Sequence, residues 1–557
     1  MTTDAGPSPF SLCDALVDEV CELRPIQATF YGVPGQEHRW GDLSPAGAAR
    51  AARRLAEWQG RVRALPPQEE RWSALAVHVM SDWLERELSA FEHREHHTDL
   101  NTIASPFQLA RMVFDSMDRS GAAGWRSVAA RLETLGEALE GYRQSLEAGL
   151  SAGDTVSARQ VRGAVAQGRV HQGERSYFRG LPAELRASGV EEPGLGERVA
   201  KGAQAACEAY GALADWLEEV YLPAARADDG VGREPYLRAM RRWLGSTPDP
   251  EETCAWGWSE VARILGEMRR LAAEIAPGRA LAEVLEMLRR DPSRTAPDRR
   301  SLLAAMTERQ RRALADLDGI HFDVPAEIRR IEVREAPPGG PPGAYYVPPS
   351  EDFSRPGTLF YSLHGDGPFA LYDQVSTAYH EGFPGHHLQC GIQVSLTGSL
   401  CRLHRVAYGY SGYAEGWALY AERLMGELGC YEEPEYELGR LTNEMIRACR
   451  VVFDIGAHLG LRIPADAPFH PGEAWTFELG VEMMRALGGL SPEHAASEVT
   501  RYLGWPGQAI SYKVGERAIL ALRGEFLASG GALKDFHTRV LACGNLGLDL
   551  LREQVLG

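Results

Sequence analysis

His380-Glu381-Gly382-Phe383-Pro384-Gly385-His386-His387-Leu388-Gln389 is the stretch on which the reading of this chain turns. In an H-E-x-x-H helix, two histidines four residues apart share a face and bind zinc, and the glutamate between them is the general base. Here the fourth position after His380 is Pro384, which offers no ligand atom. An α-helix turns about 100° and rises about 1.5 Å per residue. In an unbroken helix His386 therefore lies roughly 240° round from His380. His387 returns to the same face roughly 10 Å further along, too far to share an ion held at about 2.0 Å. Pro384-Gly385 supplies a distortion: proline removes a backbone donor and clashes with the preceding turn, and glycine permits unusual dihedrals. A break there would fold a second histidine back beside His380, with His386 and His387 the two choices.

A third ligand is found downstream in Tyr413-Ala414-Glu415-Gly416-Trp417-Ala418-Leu419-Tyr420-Ala421-Glu422. Glu415 and Glu422 are seven apart and share a helical face, two turns from each other. One carboxylate completes a His/His/Glu set with an open position, and the other orients a ligand histidine from behind. Glu381, next to the first ligand, is the natural general base.

Outward from this region the chain reads as mainly α. Ala48 to Ala64, Trp72 to Glu92 and Trp125 to Ala148 carry apolar residues at helical spacing. Ser105-Pro106, Asp154-Thr155 and Pro248 to Glu252 read as helix starts, the second opening a helix over 156–172 and the third one through Ala273. Near residue 320 the texture changes. Ile328 to Arg334, Ala344 to Val347 and Thr358 to Leu363 read as short strands, with Ala336 to Gly343 a proline-glycine loop between the first two. They predict a small antiparallel sheet ahead of the motif helix, with an exposed edge. Helices resume at about Phe369 and run to the end. Two halves are expected: 1–318, helical and forming one wall of a cleft, and 319–557, holding the sheet, the motif and the C-terminal helices.

The net charge of −18 argues against nucleic acid or an anionic membrane as partner. The nine cysteines are odd in number and contain no C-x-x-C pair, as expected of free thiols in a reducing compartment. Met1 to Pro7 show no basic segment leading into an apolar stretch, so a cytoplasmic protein without leader or anchor is expected.

The two motifs above, with Ala344-Tyr345-Tyr346, Arg447-Ala448-Cys449-Arg450-Val451-Val452-Phe453-Asp454-Ile455-Gly456-Ala457-His458 and Trp505-Pro506-Gly507-Gln508-Ala509-Ile510-Ser511-Tyr512-Lys513-Val514-Gly515, resemble the bacterial family called domain of unknown function 885. That family is similar to zinc peptidases of the gluzincin type and, more distantly, to the helical spindle peptidases. The resemblance implies a large helical spindle or gluzincin-type fold, a Zn2+ cofactor and hydrolysis of peptide or amide bonds. It matches Gly385-His386 to the Gly-His pair that closes the shorter motif, making His386 the second ligand, with His387 the alternative. It makes Glu415 the third ligand and suggests Tyr512 as the donor to an oxyanion.

Other candidates follow from chemistry and spacing. Lys513 or Arg501 would bind a substrate carboxylate. His458 and Asp454, four apart, either line the cleft or form a supporting pair. Tyr345 and Tyr346 lie on a candidate edge strand that would hold an extended peptide. The reading preferred is a zinc-dependent carboxypeptidase or dipeptidase. A metal-dependent amide hydrolase or acyl-transfer enzyme of small-metabolite biosynthesis would use the same ligands. A non-catalytic binding protein on a peptidase fold is the reading from another class, and retention of both His380 and Glu381 argues against it. The expected substrate is a peptide or an amide-containing small molecule.

Overall fold

The computed structural model describes residues 8–336, 343–363 and 365–557. The readings made on Met1 to Pro7 and on Pro337 to Pro342 lie outside the described residues. The chain divides into two compact units, Met1–Asp229 with Cys401–Ala407, and Gly230–Leu400 with Tyr408–Gly557. The boundary expected at 318 thus falls inside the second unit, whose helix Pro250–Ile275 packs along the helix Pro434–Leu459.

The first unit is helical. Pro45–Arg63, Arg71–Glu92 and Ala122–Ala152 correspond to the three amphipathic stretches. Ser105 caps Pro106–Met112 through a capping box with Gln108. The next helix begins at Ala158, because Ser157 rather than Asp154 or Thr155 takes the N-cap. Trp125, Leu132, Tyr142 and Tyr210 fill the core. Arg131 is fully buried there, its Nε donating to the Arg39 carbonyl and its Nη2 to the Thr29 hydroxyl and the carbonyls of Pro25 and Gln36.

The second unit carries the elements that matter here: α1 (Pro250–Ile275), α2 (Arg299–Leu317), α3 (Gln374–Glu381), α4 (His386–Ser395), α5 (Ser411–Glu427), α6 (Pro434–Leu459), α7 (Pro492–Gly504) and α8 (Ser511–Ala528). Asp249 caps α1 by accepting from the Glu252 amide, and Pro250 stands at its first position, where no donor is needed. Trp258 of α1 and Val451, Val452 and Phe453 of α6 belong to the core between them.

The sheet is β1 (Glu332–Glu335), β2 (Ala344–Val347) and β3 (Thr358–Tyr361), in the order β1-β3-β2. It is mixed, not antiparallel as expected: β3 pairs antiparallel with β2 and parallel with β1. The reason is topological. β3 takes the centre, where its side chains are mostly buried, so β1 never pairs with its sequence neighbour and ends up running the same way as β3. β2 is an edge strand and lies against α3. Phe369–Ala370, expected to begin the helices, instead pairs with Thr295–Ala296, and the first helix starts at Gln374. All nine cysteines are unpaired. No helix among the described residues is long and apolar enough to cross a membrane.

Candidate metal centre

The helix carrying the opening motif does break. α3 ends at Glu381 and α4 begins at His386, with Gly382 to Gly385 between them. The Gly385 amide donates to the Tyr379 carbonyl (3.0 Å) and the His387 amide to the Gly382 carbonyl (3.1 Å). A methyl group on Gly385 would lie inside contact distance of the carbonyl oxygens of His380 and Tyr379, so only glycine lets the chain pass so close. Two side chains hold the break from outside. Gln310 of α2, 1% exposed, donates to the Ala378 carbonyl (2.7 Å) and accepts from the Phe383 amide (2.6 Å). Trp417 of α5 donates from Nε1 to the Pro384 carbonyl (3.0 Å). The backbone groups that a helix would have paired are thus satisfied without helix geometry.

The result is convergence. His380, His386 and Glu415 each direct one ligand atom to a common point, all within 4.8 Å of one another. Glu415 Oε2 lies 3.3 Å from His380 Nε2 and 3.5 Å from His386 Nε2. Tetrahedral coordination with bonds of about 2.0–2.2 Å places ligand atoms roughly 3.3–3.6 Å apart. Glu415 Oε2 is buried and has no hydrogen-bond partner. An orphaned carboxylate oxygen between two imidazole nitrogens is costly unless a cation completes it. The donor set therefore fits a zinc-like ion.

Behind the ligands, Glu422 Oε1 accepts from His380 Nδ1 at 2.7 Å, which leaves Nε2 facing the cluster. Glu422 is 2% exposed, and its main-chain carbonyl accepts from the Tyr431 hydroxyl. Burial opposes a charged His380, but the Glu415 and Glu422 carboxylates, with Glu381, outweigh it and raise the imidazole to about 9. Burial likewise opposes a charged Glu415, and the two imidazoles still hold it well below the usual carboxylate range. The pocket is thus built to hold positive charge. Replacing Glu422 by alanine is expected to weaken zinc binding roughly 10–100-fold, measured by competition with a chelator, while the circular dichroism spectrum stays unchanged.

Glu381 is half-buried at the end of α3, and its carboxylate makes no hydrogen bond or ion pair among the described residues. Burial raises its pKa above the ordinary range, against the pull of His380, His386 and Arg447. Tyr512 lies on the other side of His380, rings 6.4 Å apart and within 16° of parallel. Burial, followed by the charge of Glu415, keeps its phenol protonated, and the hydroxyl makes no hydrogen bond among the described residues. Tyr512 reaches this place because α5 and α8 cross with almost no space between them: a methyl on Gly416 would strike the Gly515 backbone, and one on Gly515 would strike the Gly412 carbonyl.

The remaining candidates are placed elsewhere. His387 is held at both nitrogens, Nε2 donating to the Ile328 carbonyl (2.6 Å) and Nδ1 accepting from the Tyr346 hydroxyl (2.9 Å). Burial lowers its pKa to about 4, so it is a neutral histidine held apart from the converging set of His380, His386 and Glu415. Tyr346 is correspondingly committed to His387, while Tyr345 stacks on Phe360 across the sheet at 5.2 Å.

Lys513 is not a surface or substrate cation. It is 2% exposed and contacts Glu516 (2.5 Å), Glu444 (2.8 Å) and Glu260 (3.1 Å). Its stretch is helical, so it points away from its neighbour Tyr512. Arg501 is clamped to both oxygens of Glu498 at 3.0 Å and donates to Gln508 (2.6 Å). His458 and Asp454 form a buried supporting group rather than a lining. Asp454 accepts from the Tyr236 hydroxyl (2.6 Å) and the Gly507 amide (2.9 Å), and burial lifts it to about 7. His458 Nε2 donates to the Tyr502 carbonyl (3.1 Å).

Two residues given no role in the sequence reading stand at the site: Arg450, whose guanidinium carbon lies 4.5 Å from the Tyr512 ring centre, and Arg447, at 6.0 Å. Their spacing of three on a helix was the one available sign.

The family model for bacterial proteins of unknown function, DUF885, matches residues 25–555. The chain belongs to this family. No curated protein matches it. Two solved structures share the DUF885 member's fold. One, described as a candidate lipoprotein from Colwellia psychrerythraea, has a TM-score of 0.86 at 24% identity, covering 98% of each chain. The other, described as a candidate lipoprotein of unknown function from Shewanella oneidensis, has a TM-score of 0.76 at 17% identity, covering 99% of this chain and 100% of that one. At these identities the likeness is one of fold. Metallocarboxypeptidase 1 of Trypanosoma cruzi aligns with a TM-score of only 0.36 at 11% identity, over 92% of this chain and 88% of that one, too low to argue from.

Proposed function

We propose that this DUF885 member is a zinc-dependent hydrolase of peptide or amide bonds, acting as a carboxypeptidase or dipeptidase. The observation that carries the reading is the convergence of His380, His386 and Glu415 on one point, with a proton acceptor, Glu381, beside it.

His380, His386 and Glu415 would hold the ion, and Glu422 would fix the His380 tautomer. Zinc in such a set polarises a carbonyl and acidifies water. The chain's own groups do the rest. Glu381, unengaged by other residues, takes the proton of the attacking water and returns it to the amine as the carbon–nitrogen bond breaks. The raised pKa of its carboxyl suits both halves of that exchange. The Tyr512 hydroxyl, protonated and without another partner, donates to the oxygen on which negative charge develops. β2, the edge strand against α3, offers a backbone along which an extended peptide would pair.

The test is a peptide-library digest read by mass spectrometry, with the zinc-loaded protein and with chelator present. Cleavage that stops on chelation and returns with zinc is expected. A protein that binds no stoichiometric zinc, or cleaves equally with and without it, overturns the proposal.

A further inference from the structure

Arg447 and Arg450 have donors to spare in a place where buried donors are normally satisfied. On α6 they stand three residues apart and so share a face. Arg450 gives Nη2 to Glu498 (2.7 Å) and Nε to the Tyr502 hydroxyl (2.8 Å), while its Nη1 is buried with no hydrogen-bond partner. Its side chain is 11% exposed. Arg447 gives Nη1 to the Asn443 carbonyl one turn back (2.9 Å), and its Nε is likewise buried and unpartnered. Both guanidinium groups lie against the Tyr512 ring.

The local charge points the same way. Arg450 and Arg501 share a single carboxylate, Glu498, and the Tyr502 hydroxyl spends its donor on that carboxylate as well. Lys513 is answered separately by three carboxylates. The other carboxylates in range of Tyr512 and Arg447 are Glu415, taken by the ligand set, and Glu381. A guanidinium is a planar fork that matches a carboxylate edge, and leaving its donors unmet in a buried site is costly.

Distance sets what the anion belongs to. The step from His380 to the Tyr512 ring is 6.4 Å and that from the Tyr512 ring to Arg450 is 4.5 Å. An extended chain spans about 3.3–3.6 Å per residue. The two steps set an upper limit on the separation, with room for no more than one or two residues between a bond held at the ligand set and a group held at the arginines.

We propose that Arg447 and Arg450 form the subsite for the free α-carboxylate of a peptide, which would place cleavage one or two residues from the C-terminus. The proposal rests on the hydrolase reading for the meaning of that distance, and not for the existence of the subsite. It replaces Lys513 and Arg501, whose charges are already committed.

The experiment measures calorimetric binding of two N-acylated dipeptides, one ending in a free carboxylate and the other in a primary amide, to zinc-loaded protein carrying Glu381→Gln so that neither turns over. The free acid is expected to bind at least about tenfold more tightly, in line with a charge-assisted pair of hydrogen bonds. Arg447→Gln and Arg450→Gln, added singly, should each erase most of that preference while zinc content is unchanged. The one hydrogen bond Arg447 makes among the described residues is to a carbonyl of its own helix, so its variant carries the test even if Arg450→Gln fails to fold. Equal binding of acid and amide, or a preference that survives Arg447→Gln, overturns the subsite. The hydrolase reading fails separately. If the unsubstituted protein cleaves acid and amide at the same rate, the subsite falls and the hydrolase stands. If it cleaves neither while the arginine-dependent preference persists, the hydrolase falls and the subsite stands.

Discussion

Glu381→Gln is expected to leave the protein folded and zinc-loaded and to reduce turnover of any cleavable peptide by roughly 100–10,000-fold, the range ascribed to a positioned proton acceptor. The substitution keeps the side chain's size and removes its ability to take a proton. Because no hydrogen bond or ion pair engages Glu381 among the described residues, nothing structural is broken with it. Zinc content should hold, since Glu381 is not among the three converging ligands. The measurement is kcat beside metal stoichiometry in the same preparation. Activity within a few-fold of the unsubstituted protein would remove Glu381 as the base. Loss of zinc together with activity would reassign it to the ligand set.

The second large effect is expected from Gly385→Ala, a change of one methyl group that meets main chain and no ligand side chain. That methyl would fall within contact distance of the carbonyl oxygens of His380 and Tyr379. Backbone oxygens cannot rotate away as a side chain would, so the break must open and carry His386 out of reach of His380 and Glu415. Zinc stoichiometry should fall close to zero. The melting temperature of the metal-free protein should drop as well, by an amount equivalent to roughly 1–3 kcal/mol of overpacking. A Gly385→Ala protein that binds zinc stoichiometrically would show that the break does not depend on this close approach.

The sequence made this break legible because proline and glycine announce themselves wherever they stand. Pro384-Gly385 argued for a histidine folded back and left two choices; the family resemblance favoured His386, which the fold brings beside His380 and Glu415, while His387 is fastened at both nitrogens. What holds the break was not legible. Gln310 is an ordinary polar residue in the middle of a polar helix, more than sixty positions upstream, and only the fold shows that it bridges Ala378 and Phe383. The basic residues fared worst for a related reason. A lysine near a tyrosine in a motif invites a substrate role, but Lys513 points about 100° round the helix from Tyr512 and meets three carboxylates from three stretches of chain. Arg447 and Arg450 were visible as a pair on one face; what that face looks toward depends on α8, and no local pattern encodes it. The sheet shows the same limit. The β2 strand could be read residue for residue, yet its partner's central position, and hence the mixed pairing, came from topology.

The crossing of α5 and α8 bears on how such a site survives change around it. Glu415 stands one residue before Gly416, and Tyr512 three residues before Gly515, and these glycines bring main chain against main chain. The gap between the third ligand and the tyrosine is therefore gauged by atoms that every amino acid possesses, as the jaws of a calliper are set by a solid stop rather than by padding. Side chains elsewhere in the unit can be exchanged, and the walls that choose a substrate reshaped, without that gap drifting. Only a residue that thickens the stop itself would put the instrument out of true.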